Sequence, residues 1–221
     1  GMNSSLKSFL QANYTDVKSD LFSAFIVRNT ELAVPKGQLG FMSPFVWMFI
    51  SSYEKLRYFL LTTKTITNLV QLEYNASGDV RVPLCIYTIS NTHIKDHFGS
   101  YIDLSKFPGY YVQETKTREA ITNQNCGWFY RAKAEYFEKI PGAPIVYHAG
   151  QSVFDAFSIF GRLIDSHHAC SGLQTGNNYK FLRQWFEVDH NDVLDNVSKI
   201  ENRDQYRWLF HRKGGEYRKW Y

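Results

Sequence analysis

The residue types that carry out chemistry are sparse in this 221-residue chain and rarely stand at the spacing that a reaction needs. It contains no GxSxG nucleophile turn, no GxxxxGK(S/T) phosphate loop and no GxGxxG motif. His167 and His168 are adjacent, so their side chains point apart, and no zinc-ligand spacing accompanies them. Cys85, Cys126 and Cys170 are widely spaced and form no CxxC pair. We therefore predict a reduced, cytoplasmic protein with no metal site and no hydrolase or kinase constellation.

Two polar loops have the chemistry of a nucleic-acid contact. SGLQTGNNY combines glycines, which let the backbone approach a ligand closely, with Thr175 and Asn177, whose side chains can bond to phosphates or base edges. HRKGGEYRKW places Arg212 and Lys213 before two glycines. Each loop is equally compatible with a plain surface turn.

The positive charge of the chain is concentrated at its end. Residues 203–221 hold six Lys or Arg against two Asp or Glu, which equals the formal net charge of +4 for the whole chain. Cations and aromatic rings together suit phosphates and bases. The alternative is a solvated end whose aromatic rings pack inward. The interleaved rings are Tyr206, Trp208, Phe210, Tyr217 and Trp220.

An α/β fold is predicted from the order of the elements. Ser19 or Asp20 can cap a helix with apolar residues at helical spacing, and Pro35 and Gly37 end it. QLGFMSP then predicts a buried strand, and FVWMFISSYEKLRYFLL a second helix. TITNLVQLEY and VRVPLCIYTIS flank the turn NASGD and predict a β-hairpin. An antiparallel strand at the end of a wound sheet suits a smaller set of folds, which includes many methyltransferases.

The second part of the chain has weaker patterns. Short strands and turns are expected after Asn91, then a helix over 152–165, then a loop that runs into an aromatic strand over 170–188. We predict two domains, residues 1–140 and 141–221. No run of apolar residues reaches the length of about eighteen that a membrane helix needs, so no membrane partner is expected.

These segments resemble the adenine-specific DNA methyltransferases of the gamma class, and above all the PglX-type enzymes of bacteriophage-exclusion (BREX) systems. SDLFSAFIVRNTELAVPKGQLGFMSPFVWMFISSYEKLRYFLL is similar to the region after the catalytic motif of that family. LVQLEY, VPLCIYTISN, CGWFYRAKAEYFEKIPGAPIVYH, GLQTGNNYKFLRQWFEV and KGGEYRKWY continue the resemblance in order. The first ninety residues also resemble, less closely, the TaqI-type methyltransferases.

The resemblance implies the C-terminal portion of a Rossmann-like methyltransferase sheet that ends in an antiparallel hairpin, followed by a smaller α+β target-recognition region. Asp20, Leu21 and Phe22 match the helix start that borders the S-adenosylmethionine and target pocket; the alternative is a simple helix cap with a core Leu and Phe. In TaqI-type relatives an aromatic residue packs on the flipped base. Tyr74 is the nearest candidate here, the alternative being a hairpin tyrosine.

The resemblance also implies contacts with double-stranded DNA from the target-recognition region. The matched positions would bond to backbone phosphates or base edges. They are Thr175, Gly176, Asn177, Arg183, Arg212, Lys213 and Arg218.

Two signature motifs of the family are not found in this sequence. There is no Pro-Pro pair, as the target-adenine motif requires, and no glycine-rich loop precedes Asp20. We therefore expect a fragment that neither binds S-adenosylmethionine nor methylates DNA alone. The missing N-terminal half, or other defence-system proteins, would be its partners. The alternatives are a non-catalytic DNA-binding or assembly module and a self-contained enzyme of another kind.

Overall fold

The computed structural model describes residues 2–74, 82–160, 165, 167, 174–194 and 204–211. The chain divides into two compact units, Gly1–Arg162 and Leu163–Tyr221. The sequence predicted a boundary at residue 140 between two domains with different roles, and that boundary stays a prediction.

The first unit contains six helices and five strands in its described part. The helices are α1 (Ser4–Asn13), α2 (Leu21–Leu32), α3 (Glu54–Thr63), α4 (Tyr110–Thr122), α5 (Ala134–Glu138) and α6 (Gln151–Ile159). The strands are β1 (Gln38–Pro44), β2 (Thr65–Gln71), β3 (Leu84–Ser90), β4 (Phe98–Asp103) and β5 (Phe129–Lys133).

The five strands form one sheet in the order β1-β3-β2-β4-β5. The antiparallel pairing of the predicted hairpin is confirmed, because β2 and β3 pair with Gln71 opposite Cys85, whereas the predicted turn NASGD lies outside the described residues. Strand β3 also pairs antiparallel with β1, so it lies between two strands that run in the same direction. Strand β4 is parallel to β2, and β5 returns antiparallel to β4. The predicted α/β class is therefore confirmed, and the short strands after Asn91 extend the same sheet.

Hydrophobic residues cover both faces of this sheet. Neighbouring residues of a strand point to opposite faces, and Tyr101 and Ile102 of β4 belong to two different core clusters. The larger cluster packs helices α1, α2 and α3 against one face through residues such as Leu10, Ile26 and Leu60, each at most 1% exposed. The smaller cluster joins Ile102 to Leu104 and to Ala120 of α4.

Helix α2 is capped as predicted, but the face that it buries differs from the apolar pattern. The Asp20 carboxylate accepts a hydrogen bond from the Leu21 N–H at 2.6 Å. Small and polar residues of α2 are buried, among them Ser23, whose hydroxyl donates to the Val17 carbonyl at 2.6 Å. Phe25 is 56% exposed. The helix was correctly predicted, but its buried side combines Ile26 with the small or polar residues Ser23, Ala24 and Thr30 and leaves Phe25 outside.

The helix predicted to follow Pro44 is interrupted before it becomes regular. Two short 3-10 turns, Phe45–Met48 and Ser51–Tyr53, precede α3. The buried Arg57 of α3 holds the first of them, because its guanidinium donates to the Trp47 and Ile50 carbonyls at 2.8 and 2.7 Å. A buried arginine thus takes the place of the missing helical hydrogen bonds.

The second unit is described in part. It contains helix α7 (Asn178–Phe181), strands β6 (Val193–Leu194) and β7 (Trp208–Leu209), which pair in parallel, and two 3-10 turns, Trp185–Glu187 and His190–Asp192. The aromatic strand predicted over 170–188 is wrong within the described residues. Asn177 caps α7 by accepting from the Lys180 N–H, and a cap of this kind starts a helix.

Candidate functional site

The carboxyl ends of three strands meet at one edge of the sheet. Strands β1, β2 and β4 run in the same direction, so Pro44, Gln71 and Asp103 all end there. In wound α/β sheets, ligands bind outside the carboxyl ends of the strands. We call this side of the first unit the carboxyl edge and regard it as the candidate functional site.

The start of α2 lies at the same edge. Helix α2 returns to the amino end of β1, so its own first turn points back toward the carboxyl end of that strand. The Phe22 ring contacts the Tyr53 ring with their centroids 5.4 Å apart, and Tyr53 follows β1 in the chain. Burial raises the pKa of Tyr53, and the Asp20 charge adds to this rise. The fold therefore brings the predicted cofactor residues Asp20, Leu21 and Phe22 to the carboxyl edge. There Asp20 caps α2, and Leu21 and Phe22 pack against the larger core cluster. A role of these residues in cofactor binding stays a prediction.

Tyr74, the predicted target-base residue, stands three residues beyond β2. Its side chain is 52% exposed, which leaves its ring available for contact. The preceding residue, Glu73, is buried, and its N–H donates to the Gln113 side chain at 3.2 Å. A hydrogen bond thus fixes the residue before Tyr74, while about half of Tyr74 itself is exposed to solvent. Its contact with a base stays a prediction.

A buried tyrosine cluster supports the carboxyl edge and was not predicted from the sequence. The Tyr147 hydroxyl donates to the Gln71 side chain at 2.7 Å, and its ring stacks on Tyr101 at 5.0 Å. Burial raises the pKa of both phenols, so both stay neutral at physiological pH. The signal in the sequence was the pair of tyrosines in YIDLS and IVYHAG, but nothing local indicated that these two segments meet.

Cysteine chemistry is not favoured at this edge. Cys85, the second residue of strand β3, lies opposite Gln71 in the register and is fully buried. Burial raises the pKa of its thiol to about 12, so the thiolate needed for nucleophilic attack is scarce at neutral pH. Ser43, also buried, is within hydrogen-bond distance of the Tyr87 hydroxyl at 3.2 Å, and no histidine bonds to it within the part of the chain that the structure describes. Neither residue forms a nucleophile-and-base pair.

The predicted DNA-binding residues of the second unit form a local loop structure. The Thr175 hydroxyl donates to the Asn178 amide oxygen at 2.6 Å, and Gly176 has a positive φ of 67°. The Arg183 guanidinium donates to the Tyr179 and Leu182 carbonyls at 2.9 and 2.7 Å. Gly176, Asn177 and Arg183 are exposed and Thr175 is half-buried. A DNA contact from these residues stays a prediction. Arg212, Lys213 and Arg218, like His168 and Cys170, lie outside the described residues.

The described part of the chain has neither a cluster of metal-ligating side chains nor a helix that could span a membrane. There, no three His, Cys, Asp or Glu side chains are grouped as a metal ion would require. No helix of that part is long and apolar enough to cross a bilayer.

The sequence and the fold were compared with known proteins. Residues 1–77 match a family model described as Eco57I restriction-modification methylase. The whole chain is 32% identical over 227 residues to the adenine-specific methyltransferase PglX of Lacticaseibacillus casei (strain Zhang), covering 19% of that protein. It is 33% identical over 228 residues to the adenine-specific methyltransferase BrxX of Escherichia coli O9:H4 (strain HS), covering 18% of it.

The chain therefore spans about a fifth of the length of these curated relatives. A crystal structure of a type I restriction-modification system methyltransferase subunit from Streptococcus thermophilus also matches, with a TM-score of 0.49 and 15% identity, over 63% of this chain and 34% of that one. The resemblance to PglX-type enzymes that was predicted from the sequence is confirmed, because the whole of this chain is similar to a part of PglX and to a part of BrxX.

Proposed function

Because this chain is a relative of the adenine-specific methyltransferases PglX and BrxX along its whole length, we propose that it forms part of an enzyme that methylates adenine N6 in DNA. The enzyme would use S-adenosylmethionine and serve a restriction-modification or phage-defence system of the BREX type. The observation that carries the proposal is the identity of about a third over all 221 residues, through both compact units.

The chain alone is proposed to be inactive. Transfer to an exocyclic amine needs a pocket that grips the methyl donor and groups that bond the flipped adenine. In the family these come from a glycine-rich loop and a motif with a Pro-Pro pair, and neither occurs in this sequence. Asp20, Leu21 and Phe22 would line the border of the donor pocket once those motifs are supplied.

The free edge of β1 supports a proposal about the partner. Within the described residues β1 pairs with β3 on one side, and its other side carries no strand. A seven-residue edge strand exposes backbone groups that readily pair with another strand. Apolar side chains close to it in the chain are exposed as well, among them Phe25, Val34 and Met42. We propose that the methyltransferase portion with the donor-binding motifs adds its strands here.

Duplex DNA is the proposed partner of the second unit, and the cytoplasm is the proposed location of the complex. The positive charge of residues 203–221 supports contact with phosphates, in which Arg212, Lys213 and Arg218 would be the cations. Arg183, outside this segment, would add a fourth cation. Thr175, Gly176 and Asn177 would approach the backbone or base edges. Other defence-system proteins would join the same assembly.

Removing two of these cations is expected to change the salt dependence of DNA binding. A protein that contacts phosphates releases counterions, and the slope of log K against log salt changes by about 0.9 for each contact. Replacing Arg212 and Lys213 with alanine should therefore flatten the slope by about two units. Fluorescence anisotropy with a labelled duplex over a series of salt concentrations measures it.

The matched control removes two exposed cations from the first unit. Arg28 pairs with Glu31 and Lys55 with Asp16, and both side chains are mainly exposed. Their double alanine variant should keep the slope of the unsubstituted chain. An equal change in both double variants, or none in either, would contradict a phosphate-contacting role for Arg212 and Lys213.

A further inference from the structure

We propose that a helix of the methyltransferase portion that carries the donor-binding motifs packs on the sheet over Met42 of β1 and Ile86 of β3. The proposal rests on the proposed function and adds a second contact to the one at the free edge of β1. We call the sheet face that carries Ile102 the second face, and its part over β1 and β3 the open half.

One apolar row crosses the second face from edge to edge. Residues that are partners in the register point to the same face, because side chains alternate between the two faces along each strand. A row of apolar side chains needs a covering layer along its whole length. Each strand contributes one residue to this row, in the register order Met42, Ile86, Val70, Ile102 and Phe129.

Helix α4 covers only one end of the row. Ile102 is 5% exposed and lies in the smaller core cluster with Ala120 of α4, and Val70 packs against that cluster. At the other end Met42 is 62% exposed and Ile86 is 40% exposed. Neither of these two belongs to a core cluster of the described residues. The open half is therefore an apolar surface that the described part of the chain leaves exposed.

The open half has the dimensions for one more helix beside α4. Neighbouring helices lie about 8–10 Å apart, and neighbouring strands lie about 4.8 Å apart. A helix next to α4 would thus lie about two strands away from β4, which is over β3 in the order β1-β3-β2-β4-β5. Gly40, on the same face as Met42, has no side chain, and a Cβ there would meet no atom within 4 Å. A helix can therefore approach the backbone of β1 closely.

The polar side chains next to the apolar row already have partners. Thr88 lies opposite Gly40 in the register. Its hydroxyl is 2.7 Å from the Thr67 hydroxyl, and it accepts from the Asn68 amide at 3.0 Å. Covering this row with a helix costs little, because burial of a polar group is unfavourable mainly when the group lacks a hydrogen bond.

The absence of charge indicates an apolar partner and not DNA. Strands β1 and β3 have the sequences QLGFMSP and LCIYTIS, which contain no charged residue. DNA binding needs cations that face the phosphates. The donor-binding portion fits instead, because parallel strands added at β1 would be joined by crossover helices, and such helices cover the faces of a sheet.

The test measures how tightly the 221-residue chain binds the polypeptide that carries the donor-binding motifs of the same enzyme. Met42→Gln with Ile86→Thr makes the open half polar with little change in side-chain size. Burial of both apolar side chains favours binding, so this polar variant should bind about tenfold more weakly or worse in isothermal titration calorimetry. Met42→Leu with Ile86→Val keeps the surface apolar and should leave the affinity within about threefold.

Val153→Thr with Phe157→Gln is the matched control. These residues of α6 are 43% and 47% exposed, and α6 packs on the larger core cluster through Phe154. Their substitution should leave the affinity unchanged.

Urea unfolding checks the fold of each variant. If the polar variant unfolds at a lower urea concentration than the unsubstituted chain, Met42→Gln alone takes its place, because Met42 is the more exposed of the two residues. This single variant should weaken binding by about threefold or more.

Equal affinities of the polar variant and the unsubstituted chain would overturn the proposal. Dimerisation of the chain alone that the polar variant abolishes would also overturn it, since a second copy would then occupy the open half. If the unsubstituted chain neither binds the polypeptide nor methylates DNA with it, the proposed function fails as well. Methylation by the mixture together with equal affinities would leave the proposed function intact and remove only the helix contact.

Discussion

Replacing Arg57 with alanine is expected to lower the free energy of unfolding by about 3–5 kcal/mol. The side chain is 1% exposed, and its guanidinium donates to three backbone carbonyls, those of Trp47, Ile50 and Gly142, at 2.7–2.8 Å. Alanine would leave the buried Trp47 carbonyl and the part-buried Ile50 and Gly142 carbonyls without this donor. A buried polar group without a partner costs about 1–3 kcal/mol.

Urea unfolding followed by circular dichroism measures this effect. Arg57→Lys should be intermediate, because one ammonium cannot reproduce the planar fork that reaches three acceptors. Arg28→Ala is the control: Arg28 lies on the surface and pairs with Glu31, so its removal should change the free energy by less than about 1 kcal/mol. A loss of under 1 kcal/mol for Arg57→Ala would show that the segment after β1 does not depend on this residue.

Alkaline pH is expected to destabilise the first unit steeply above about pH 10. Tyr87, Tyr101 and Tyr147 are each at most 3% exposed, and burial raises the pKa of all three phenols above the usual 10. Their contribution is fully present below pH 10, where folded and unfolded states are both protonated. It is lost as pH rises beyond 10, because the unfolded chain releases protons that the folded chain retains.

The size of this loss follows from proton linkage. Each phenol contributes about 1.4 kcal/mol per pH unit within this window, so three contribute up to about 4 kcal/mol per pH unit. Urea unfolding at pH 8, 9, 10 and 11 measures the slope. Tyr101→Phe keeps the ring and removes one titrating group, so it should reduce the slope by about a third of that value. Equal slopes for the two proteins would contradict a buried, neutral Tyr101.

Local signals predicted much of the fold, and the exceptions have identifiable physical causes. Asp20 marked a helix start because a cap is a short-range interaction between a side chain and the next backbone amides. The β-hairpin was visible for a similar reason, since its two strands follow one another in the chain. The break before α3 was missed because a hydrogen-bond donor ten residues away in sequence, Arg57, replaces the helical pattern there.

The candidate site was harder to predict, because its parts come from separate segments. Tyr74 was found through resemblance alone, whereas Tyr101 and Tyr147 carried no motif, and their stacking is visible only in the fold. Gln113 is similar: its amide looks like an ordinary polar helix residue in sequence. Its three backbone partners are visible only in the fold.

Transfer of labelled methyl groups from S-adenosylmethionine to duplex DNA tests the central claim most directly. We expect no incorporation by the purified 221-residue chain, because its sequence holds neither a glycine-rich donor loop nor a Pro-Pro pair. We expect incorporation at adenine N6 when a polypeptide carrying those motifs from the same enzyme is added. Sustained methylation of adenine by the chain alone would contradict the account.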